Sequence, residues 1–228
     1  LWKNHFPWPK EHDHKYSRGH LLVQSGDQFS TGASRLASLS ALRIGAGIVT
    51  LASSDEAALI NASHLTSVMI KNINNISDFI NFSKNRKVTS LLIGPGCGVT
   101  DYTKKLSLNI IELGLPVVLD ADALSVFKDD PDELFSCIKK YNNNVILTPH
   151  EGEFNRIFKD TKGSKLSVTR DAAKESGATI IYKGNDSVIG NPEGLLAISD
   201  RSSPFLATAG SGDVLAGICA GLLSQGMD

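Results

Sequence analysis

The stretch Thr208-Ala209-Gly210-Ser211-Gly212-Asp213-Val214-Leu215-Ala216-Gly217 is the most informative part of the sequence. Its small residues lead into a segment of helical spacing, which we predict to begin at Gly212 and Asp213. The backbone N–H groups at such a helix start can converge on one point, and the helix dipole favours a phosphate there. Asp213 can instead be a plain helix cap, because a carboxylate is a good N-cap. The stretch therefore indicates either a phosphate site or an ordinary capped helix.

Upstream, short apolar runs rich in β-branched residues alternate with segments of helical period. Continuous apolar runs are expected for the strands of a parallel sheet that is covered on both faces. We predict strands at residues 21–23, 48–51, 91–93, 117–119, 145–147 and 179–182. We predict helices at residues 34–43, from an N-cap at Thr100 to residue 113, at 133–141 and at 168–176. This βαβ rhythm predicts an α/β fold with a mostly parallel sheet and helices on both faces.

Two further segments complete the predicted organisation. Residues 187–189 and 195–198 flank a turn-rich loop, which predicts a β-hairpin that adds antiparallel strands at one edge of the sheet. The Asn- and Ser-rich segment 72–85 is interpreted as a connection followed by a polar surface helix. We find no internal repeat and predict a single domain over residues 1–228.

Composition limits the classes of function. The chain has 228 residues, 41% of them hydrophobic, which is enough for one sizeable core. A net charge of −1 argues against a general nucleic-acid or membrane-surface binder, and no apolar run is long enough to cross a bilayer. Three cysteines without a C-x-x-C pair argue against a disulfide framework or a structural zinc site. We therefore expect a cytoplasmic protein.

The two ends of the chain suggest a longer parent. The sequence begins with Leu1 in place of an initiator methionine, and no apolar signal-peptide core follows. Asp228 falls inside or just after the last predicted helix. We expect the chain to be truncated at both ends.

Four more turns that are rich in glycine or polar residues directly follow predicted strands. The carboxyl ends of parallel strands lie at the same edge of a sheet, and open α/β sheets bind ligands at that edge. The four turns are Gly94-Pro95-Gly96-Cys97-Gly98, Asp120-Ala121-Asp122, Thr148-Pro149-His150-Glu151-Gly152-Glu153 and Lys183-Gly184-Asn185-Asp186-Ser187.

Each turn has a chemical interpretation and a structural one. Asp120 and Asp122 can hold Mg²⁺ or fix a ligand hydroxyl, or they can both cap a helix. His150 can bind substrate or act only as a cap. Lys183 and its neighbours can hold nucleotide phosphates, although such a turn alone is more often part of a hairpin. Five such turns at one edge of a sheet favour an active site.

The motif set resembles the ADP/ATP-dependent NAD(P)H-hydrate dehydratases, which are ribokinase-like enzymes. A Gly-x-Gly-Asp motif is shared with many sugar and vitamin kinases. The segments Thr148-Pro149-His150-Glu151-Gly152-Glu153 and Arg43-Ile44-Gly45-Ala46-Gly47 are what point to the dehydratases. Other matching segments are His14-Lys15-Tyr16-Ser17-Arg18-Gly19-His20, Thr31-Gly32-Ala33-Ser34, the Gly94, Asp120 and Lys183 turns, and 206–217.

The resemblance implies a ribokinase-like fold and a repair reaction. Such enzymes remove water from hydrated NADH or NADPH at the expense of ADP or ATP. The hydrated dinucleotide would contact Ala33, Gly96, His150 and Asp213, with Asp213 as the catalytic base. Mg²⁺ would bridge the phosphates, with Glu153 orienting its water. The adenine nucleotide would contact Lys183, Gly184, Asn185, Asp186, Ser187, Gly210, Ser211 and Gly212.

Some positions depart from the family's pattern, and some partners follow from it. Ser187 stands where threonine is common, Gly26-Asp27 where a Gly-Ser pair is usual, and Asp200 near a customary asparagine. The module is often fused to an epimerase that acts on the same hydrates. We expect a homo-oligomer with no nucleic-acid or membrane partner.

Two other functions compete with the dehydratase. A thiazole or hydroxymethylpyrimidine kinase of the same fold would use Asp213 identically but release a stable phosphorylated product; His150 within its motif favours the dehydratase. A catalytically degenerate dinucleotide-binding domain is the third interpretation. The intact Asp213 and glycine turn argue against it.

Overall fold

The computed structural model of the chain describes residues 3–141, 144–159 and 162–227. Within them the strands form one nine-stranded sheet with the order β3-β2-β1-β4-β5-β6-β7-β8-β9. Neighbouring strands are parallel in this order from β3 to β7, and the β7–β8 and β8–β9 pairs are antiparallel. The predicted parallel sheet and its edge hairpin are therefore confirmed. The strands are β1 (His20–Gln24), β2 (Ile48–Ser53), β3 (Met69–Asn72), β4 (Ser90–Ile93), β5 (Val117–Leu119), β6 (Val145–Leu147), β7 (Thr179–Tyr182), β8 (Ser187–Gly190) and β9 (Leu196–Ser199).

The helices mostly lie between successive strands. Thr100 is confirmed as an N-cap: its hydroxyl accepts a hydrogen bond from the N–H of Thr103 at 3.2 Å. That helix ends at Ile111, two residues before the predicted Leu113. The described helices are α1 (Thr31–Arg43), α2 (Asp55–His64), α3 (Ile76–Asn85), α4 (Asp101–Ile111), α5 (Asp122–Ser125), α6 (Pro131–Tyr141), α7 (Glu151–Ile157), α8 (Lys165–Ser176) and α9 (Ser211–Ser224).

The apolar strand residues divide between two cores because successive side chains point to opposite faces of a sheet. In β1, Leu21 and Val23 lie in the core beneath α1 and α9. Leu22 lies in the core on the other face, together with residues of α3, α4, α6, α7 and α8. Helices on both faces explain why the strand sequences are apolar throughout.

Small residues bring α9 close to α1. A Cβ atom on Gly217 would overlap the carbonyl oxygen of Ala37, and one on Gly221 would lie 2.9 Å from the Cα of Ala41. Glycine at these two positions is therefore required by the packing of the helices. The predicted close approach of this helix to its neighbours is confirmed, and it fixes where the start of α9 lies.

Some elements were not predicted. The edge strand β3 lacks an apolar run, and Met69 at its start is half exposed. Helix α2 buries only Ala57 and Asn61, so it has no clear apolar stripe. The polar segment after β3 does contain the expected surface helix, α3, but its Phe79 is fully buried.

The parallel arrangement places the carboxyl ends of β4, β5, β6 and β7 at the same edge of the sheet. The register pairs Ile93 with Leu119 and Leu119 with Leu147, so the turns that follow these strands begin side by side. None of the described helices combines the length and apolar character that a membrane span requires.

Candidate active site

A buried ion pair lies at the centre of this edge. The Lys183 ammonium is 2.9 Å from Oδ1 of Asp120 and 3.8 Å from Oε2 of Glu153. The hydroxyl of Thr148 donates a hydrogen bond to the same Asp120 oxygen at 2.7 Å. The Asp120 side chain is only 2% exposed, and a charge at that depth needs a partner. Lys183 therefore ties the turns after β5, β6 and β7 into one cluster.

Asp213 lies in the first turn of α9, beside this cluster. Burial raises the pKa of its carboxyl group, the negative charge of Asp120 raises it further, and the positive charge of Lys183 opposes both. A Cβ atom on Gly212 would lie 3.5 Å from the Lys183 ammonium, so the start of α9 and Lys183 are neighbours. A carboxylate with a raised pKa is a better proton acceptor, as expected of a catalytic base.

The N-cap of α9 differs from the sequence expectation. The cap is Gly210, whose φ of 89° lies in the left-handed region that favours glycine. Asp213 is the third residue of the helix, so the interpretation of Asp213 as an N-cap is wrong. The first N–H groups of a helix have no partner within the helix. The N–H of Ser211 makes only a long hydrogen bond of 3.4 Å to the carbonyl oxygen of Thr208, so the N–H groups near Gly210, Ser211 and Gly212 can receive an anionic oxygen.

His150 and Glu153 form a capping box at the start of α7. The Nδ1 atom of His150 accepts hydrogen bonds from the N–H groups of Gly152 at 2.9 Å and Glu153 at 3.4 Å. The Glu153 carboxylate accepts in return from the N–H of His150 at 2.9 Å. The capping role of His150 is thus confirmed. Because Nδ1 accepts, Nε2 carries a proton; it lies 3.5 Å from Oε1 of Glu153, and since the side chain is 56% exposed it can also reach a ligand.

The fit of Mg²⁺ to this site depends on the donors present. Among residues 3–141, 144–159 and 162–227, no group of three or more His, Cys, Asp or Glu side chains could hold a metal ion. Mg²⁺ usually keeps several waters and takes one or two carboxylates together with substrate phosphates. The hard oxygens of Glu153 suit such a water-mediated role.

The predicted substrate residues Ala33 and Gly96 lie next to each other. A Cβ atom on Gly96, whose φ is 71°, would lie 2.6 Å from the carbonyl oxygen of Ser30 and 3.5 Å from the Cβ of Ala33. The Gly96 turn therefore packs on the start of α1. The Asp122 carboxylate accepts a hydrogen bond from the N–H of Gly98 at 2.8 Å and fixes this turn.

The cysteine in this turn is not a nucleophile. Burial raises the pKa of the Cys97 thiol to about 12, so the thiol stays protonated. The three cysteines, Cys97, Cys137 and Cys219, are free.

A cleft of about 820 Å³ opens beside Lys183, within the size range of small-molecule sites. Its lining includes His150 and four of the predicted nucleotide residues: Lys183, Gly184, Asn185 and Asp186. The hydroxyl of Ser187, the fifth, donates to the Gly184 carbonyl at 3.1 Å and braces the loop. Lys183 lines this cleft and also contacts Asp120 and Glu153, so it connects the cleft with the cluster of charged residues at its edge.

Sequence reasoning missed two residues of this site, Thr148 and Lys165, and the partner of a third, Asp120. Asp120 was paired with Asp122 in one interpretation, but only Asp120 contacts Lys183. Thr148 was quoted as part of a motif without a role. Lys165 lines the cleft and contacts the Lys183 turn, yet it belongs to no motif. The signal for Asp120 and Thr148 was their position directly after buried strands; Lys165 gave none.

The sheet order and the edge hairpin give a mostly parallel α/β fold, which comparison with solved structures shows to be ribokinase-like. The fold matches a ribokinase-like superfamily protein from Enterococcus faecalis with a TM-score of 0.78 and 21% identity, covering 99% of this chain and 79% of that one. It also matches the ADP/ATP-dependent NAD(P)H-hydrate dehydratase from Bacillus subtilis, co-crystallised with ATP and Mg²⁺. That match has a TM-score of 0.79 and 24% identity and covers 100% of this chain and 86% of that one.

The sequence comparisons are more specific. A model of the NAD(P)H-hydrate dehydratase family matches residues 21–228. A bifunctional NAD(P)H-hydrate repair enzyme Nnr from Coxiella burnetii is 32% identical over 231 residues, which cover 98% of this chain and 45% of that protein. The chain belongs to the NAD(P)H-hydrate dehydratase family. It spans less than half the length of the curated relatives it matches.

Proposed function

We propose that this chain removes water from hydrated NADH or NADPH, at the expense of ADP or ATP, and so restores the reduced dinucleotide. The observation that carries the proposal is the position of Asp213: a half-buried carboxylate of raised pKa, in the first turn of α9 and beside the Lys183–Asp120 pair. Family membership supports the same reaction.

In the proposed mechanism, Asp213 accepts the proton of the ring hydroxyl as that oxygen attacks the terminal phosphorus of the nucleotide. The bond from phosphorus to the bridging oxygen breaks, and the shortened nucleotide leaves. The N–H groups near Gly210, Ser211 and Gly212 stabilise the charge on the transferring phosphoryl group. The lone pair of the ring nitrogen then expels phosphate, a far better leaving group than hydroxide, and leaves an iminium ion. Loss of a proton from the adjacent ring carbon to water or to the released phosphate then reforms the neutral dihydropyridine.

The remaining residues bind and orient the two substrates. Ala33, Gly96 and His150 would contact the hydrated dinucleotide, and the loop 183–187 with Gly212 would contact the nucleotide. The Lys183 ammonium would neutralise phosphate charge while it keeps Asp120 paired. Glu153 would hold Mg²⁺ through a water molecule, and the ion would supply further charge neutralisation.

Replacement of His150 separates its two roles. We expect His150→Ala to raise the KM for the hydrated dinucleotide roughly tenfold, because a donor to the ligand is lost. His150→Asn can still cap α7 but lacks the Nε2 donor, so it should retain the thermal midpoint and show the same KM defect. Steady-state kinetics with each substrate varied in turn would check this. An unchanged KM for the dinucleotide with weaker nucleotide binding would reverse the assignment, because His150 also lines the nucleotide cleft.

The proposal is tested by giving the protein hydrated NADH with ADP, with ATP or with no nucleotide, each with and without Mg²⁺, and following the absorbance of the reduced nicotinamide. We expect NADH to form only when a nucleotide and Mg²⁺ are both present. Conversion without a nucleotide would contradict the proposal.

The proposal also covers the extent of the domain, its location and its oligomeric state. Residues 1–228 would form one dehydratase domain, fused in a longer polypeptide to an epimerase, as the bifunctional name and greater length of the Coxiella burnetii relative favour. We also propose a cytoplasmic location and a homo-oligomer. The free cysteines fit a reducing compartment, and exposed apolar side chains on α1, Leu36 and Leu39, fit a subunit contact.

A further inference from the structure

Lys165 is held by the loop 183–187 in an unusual way for a lysine at a helix start. Its ammonium lies 2.8 Å from the carbonyl oxygen of Asp186, 3.0 Å from the Asp186 carboxylate and 3.4 Å from the carbonyl oxygen of Lys183. It also lies 4.6 Å from the centre of the Tyr182 ring. Long lysine side chains lose much conformational freedom when fixed, so four simultaneous contacts indicate a specific arrangement.

The glycine of the loop is needed for this arrangement. A Cβ atom on Gly184 would overlap the Lys165 ammonium, so any other residue there would push the lysine away. Glycine at position 184 therefore leaves room for the Lys165 ammonium beside the loop.

The contacts of Lys165 orient the loop's peptide groups, most firmly through the Asp186 carbonyl oxygen at 2.8 Å and more loosely through the Lys183 carbonyl oxygen at 3.4 Å. The C=O and N–H of a trans peptide point in opposite directions. Because the Lys183 carbonyl points to Lys165, the N–H of Gly184 points away from it. That N–H lies 3.3 Å from the Ser187 hydroxyl, a long and weak hydrogen bond that a phosphate oxygen could replace.

The ion pair between Lys165 and Asp186 contributes little to the stability of the fold. The Asp186 side chain is 64% exposed, and water screens exposed ion pairs so that they add little to stability. The lysine lies near the surface of the cleft that Lys183 also lines, and its own side chain is 21% exposed. Its position beside the loop therefore fits a role in ligand binding better than a role in holding the fold together.

We propose that Lys165 is a positioning residue for the nucleotide polyphosphate: it holds the backbone of loop 183–187 in the shape that receives phosphate oxygens and places a second ammonium group, paired with Asp186, beside the cleft. This inference rests on the proposed nucleotide role of that loop. It assigns Lys165 no part in proton transfer, which stays with Asp213.

The test compares three variants by calorimetric titration with ADP. Lys165→Ala should weaken ADP binding at least about tenfold, since hydrogen bonds to a charged group are lost. Lys165→Arg keeps the charge and the donors and should restore the affinity to within about threefold. Lys174→Ala, on an exposed position of the same helix, is the control and should bind like the parent protein.

Kinetics on the same proteins give the second readout. Lys165→Ala should raise the KM for the nucleotide while kcat and the KM for hydrated NADH stay within about threefold of the parent. If Lys165→Ala fails to fold, Lys165→Met keeps the aliphatic stem over the Tyr182 ring and takes its place.

The outcomes separate this inference from the proposed function. Unchanged ADP affinity in Lys165→Ala overturns the positioning role, and so does a parent protein that does not bind ADP. A parent protein that binds ADP in a Lys165-dependent way but restores no NADH supports the inference and overturns the proposed function. Equal losses of ADP affinity in Lys165→Ala and Lys165→Arg also overturn the inference, because the positive charge and length of the side chain at position 165 would then have no effect.

Discussion

Asp213→Asn is expected to lower turnover at least about a hundredfold, the low end for loss of a general base, in a protein that stays folded. Asparagine has nearly the size of aspartate but cannot accept a proton in the same way. The helix cap is not at stake, because the N-cap of α9 is Gly210. Substrate and nucleotide should both still bind.

The raised pKa of Asp213 also determines whether Asp213→Asn raises or lowers the stability of the protein. Its pKa is raised in the folded protein, mainly by burial, so folding disfavours the charged form. Above this raised pKa, the carboxylate lowers the free energy of unfolding; below the unfolded value of 3.8 that cost is absent. At neutral pH, Asp213→Asn should therefore leave the thermal midpoint unchanged or raise it. Near-normal turnover in the folded variant would remove Asp213 from the catalytic role.

Lys183→Met is expected to have the second largest effect because it leaves Asp120 buried without its counter-charge. Removing one partner of a buried pair costs about 3–5 kcal/mol. The Lys183 side chain is 18% exposed, so some water can reach the site. We therefore expect the low end of this range, a loss of about 3 kcal/mol in the free energy of unfolding. Nucleotide affinity should fall as well, since Lys183 faces the cleft.

A second substitution tests the cause of this loss. Asp120→Asn combined with Lys183→Met removes both charges, so the double variant should be more stable than Lys183→Met alone. Urea unfolding of the parent, the two single variants and the double variant gives the coupling between the two residues. Strictly additive losses would show that Lys183 stabilises the fold by packing and not by pairing with Asp120.

The fold could be predicted from the sequence where periodicity was strong. Strands β5, β6 and β7 have the predicted bounds because each is a continuous apolar run. The edge strand β3 could not be predicted, because its mostly exposed residues lack such a run. Helix α7 was missed because its first turn is occupied by the motif residues Glu151, Gly152 and Glu153.

The site was predicted less completely, for reasons of geometry. Asp120 and Asp122 are two residues apart, yet Asp120 pairs with Lys183 while Asp122 accepts from Gly98. Between them Ala121 has a φ of 49°, a conformation that alanine rarely adopts and that the sequence does not signal. Lys165 approaches the Lys183 loop only through the packing of α8, so no local pattern indicates it.

If phosphoryl transfer and loss of water occur in one site, their products must form in a fixed ratio. Inorganic phosphate and NADH are measured together while the protein consumes hydrated NADH and ADP. We expect one phosphate to be released for each NADH restored, and Asp213→Asn to slow both equally. Accumulation of a stable phosphorylated dinucleotide, or NADH formed without phosphate release, would contradict it.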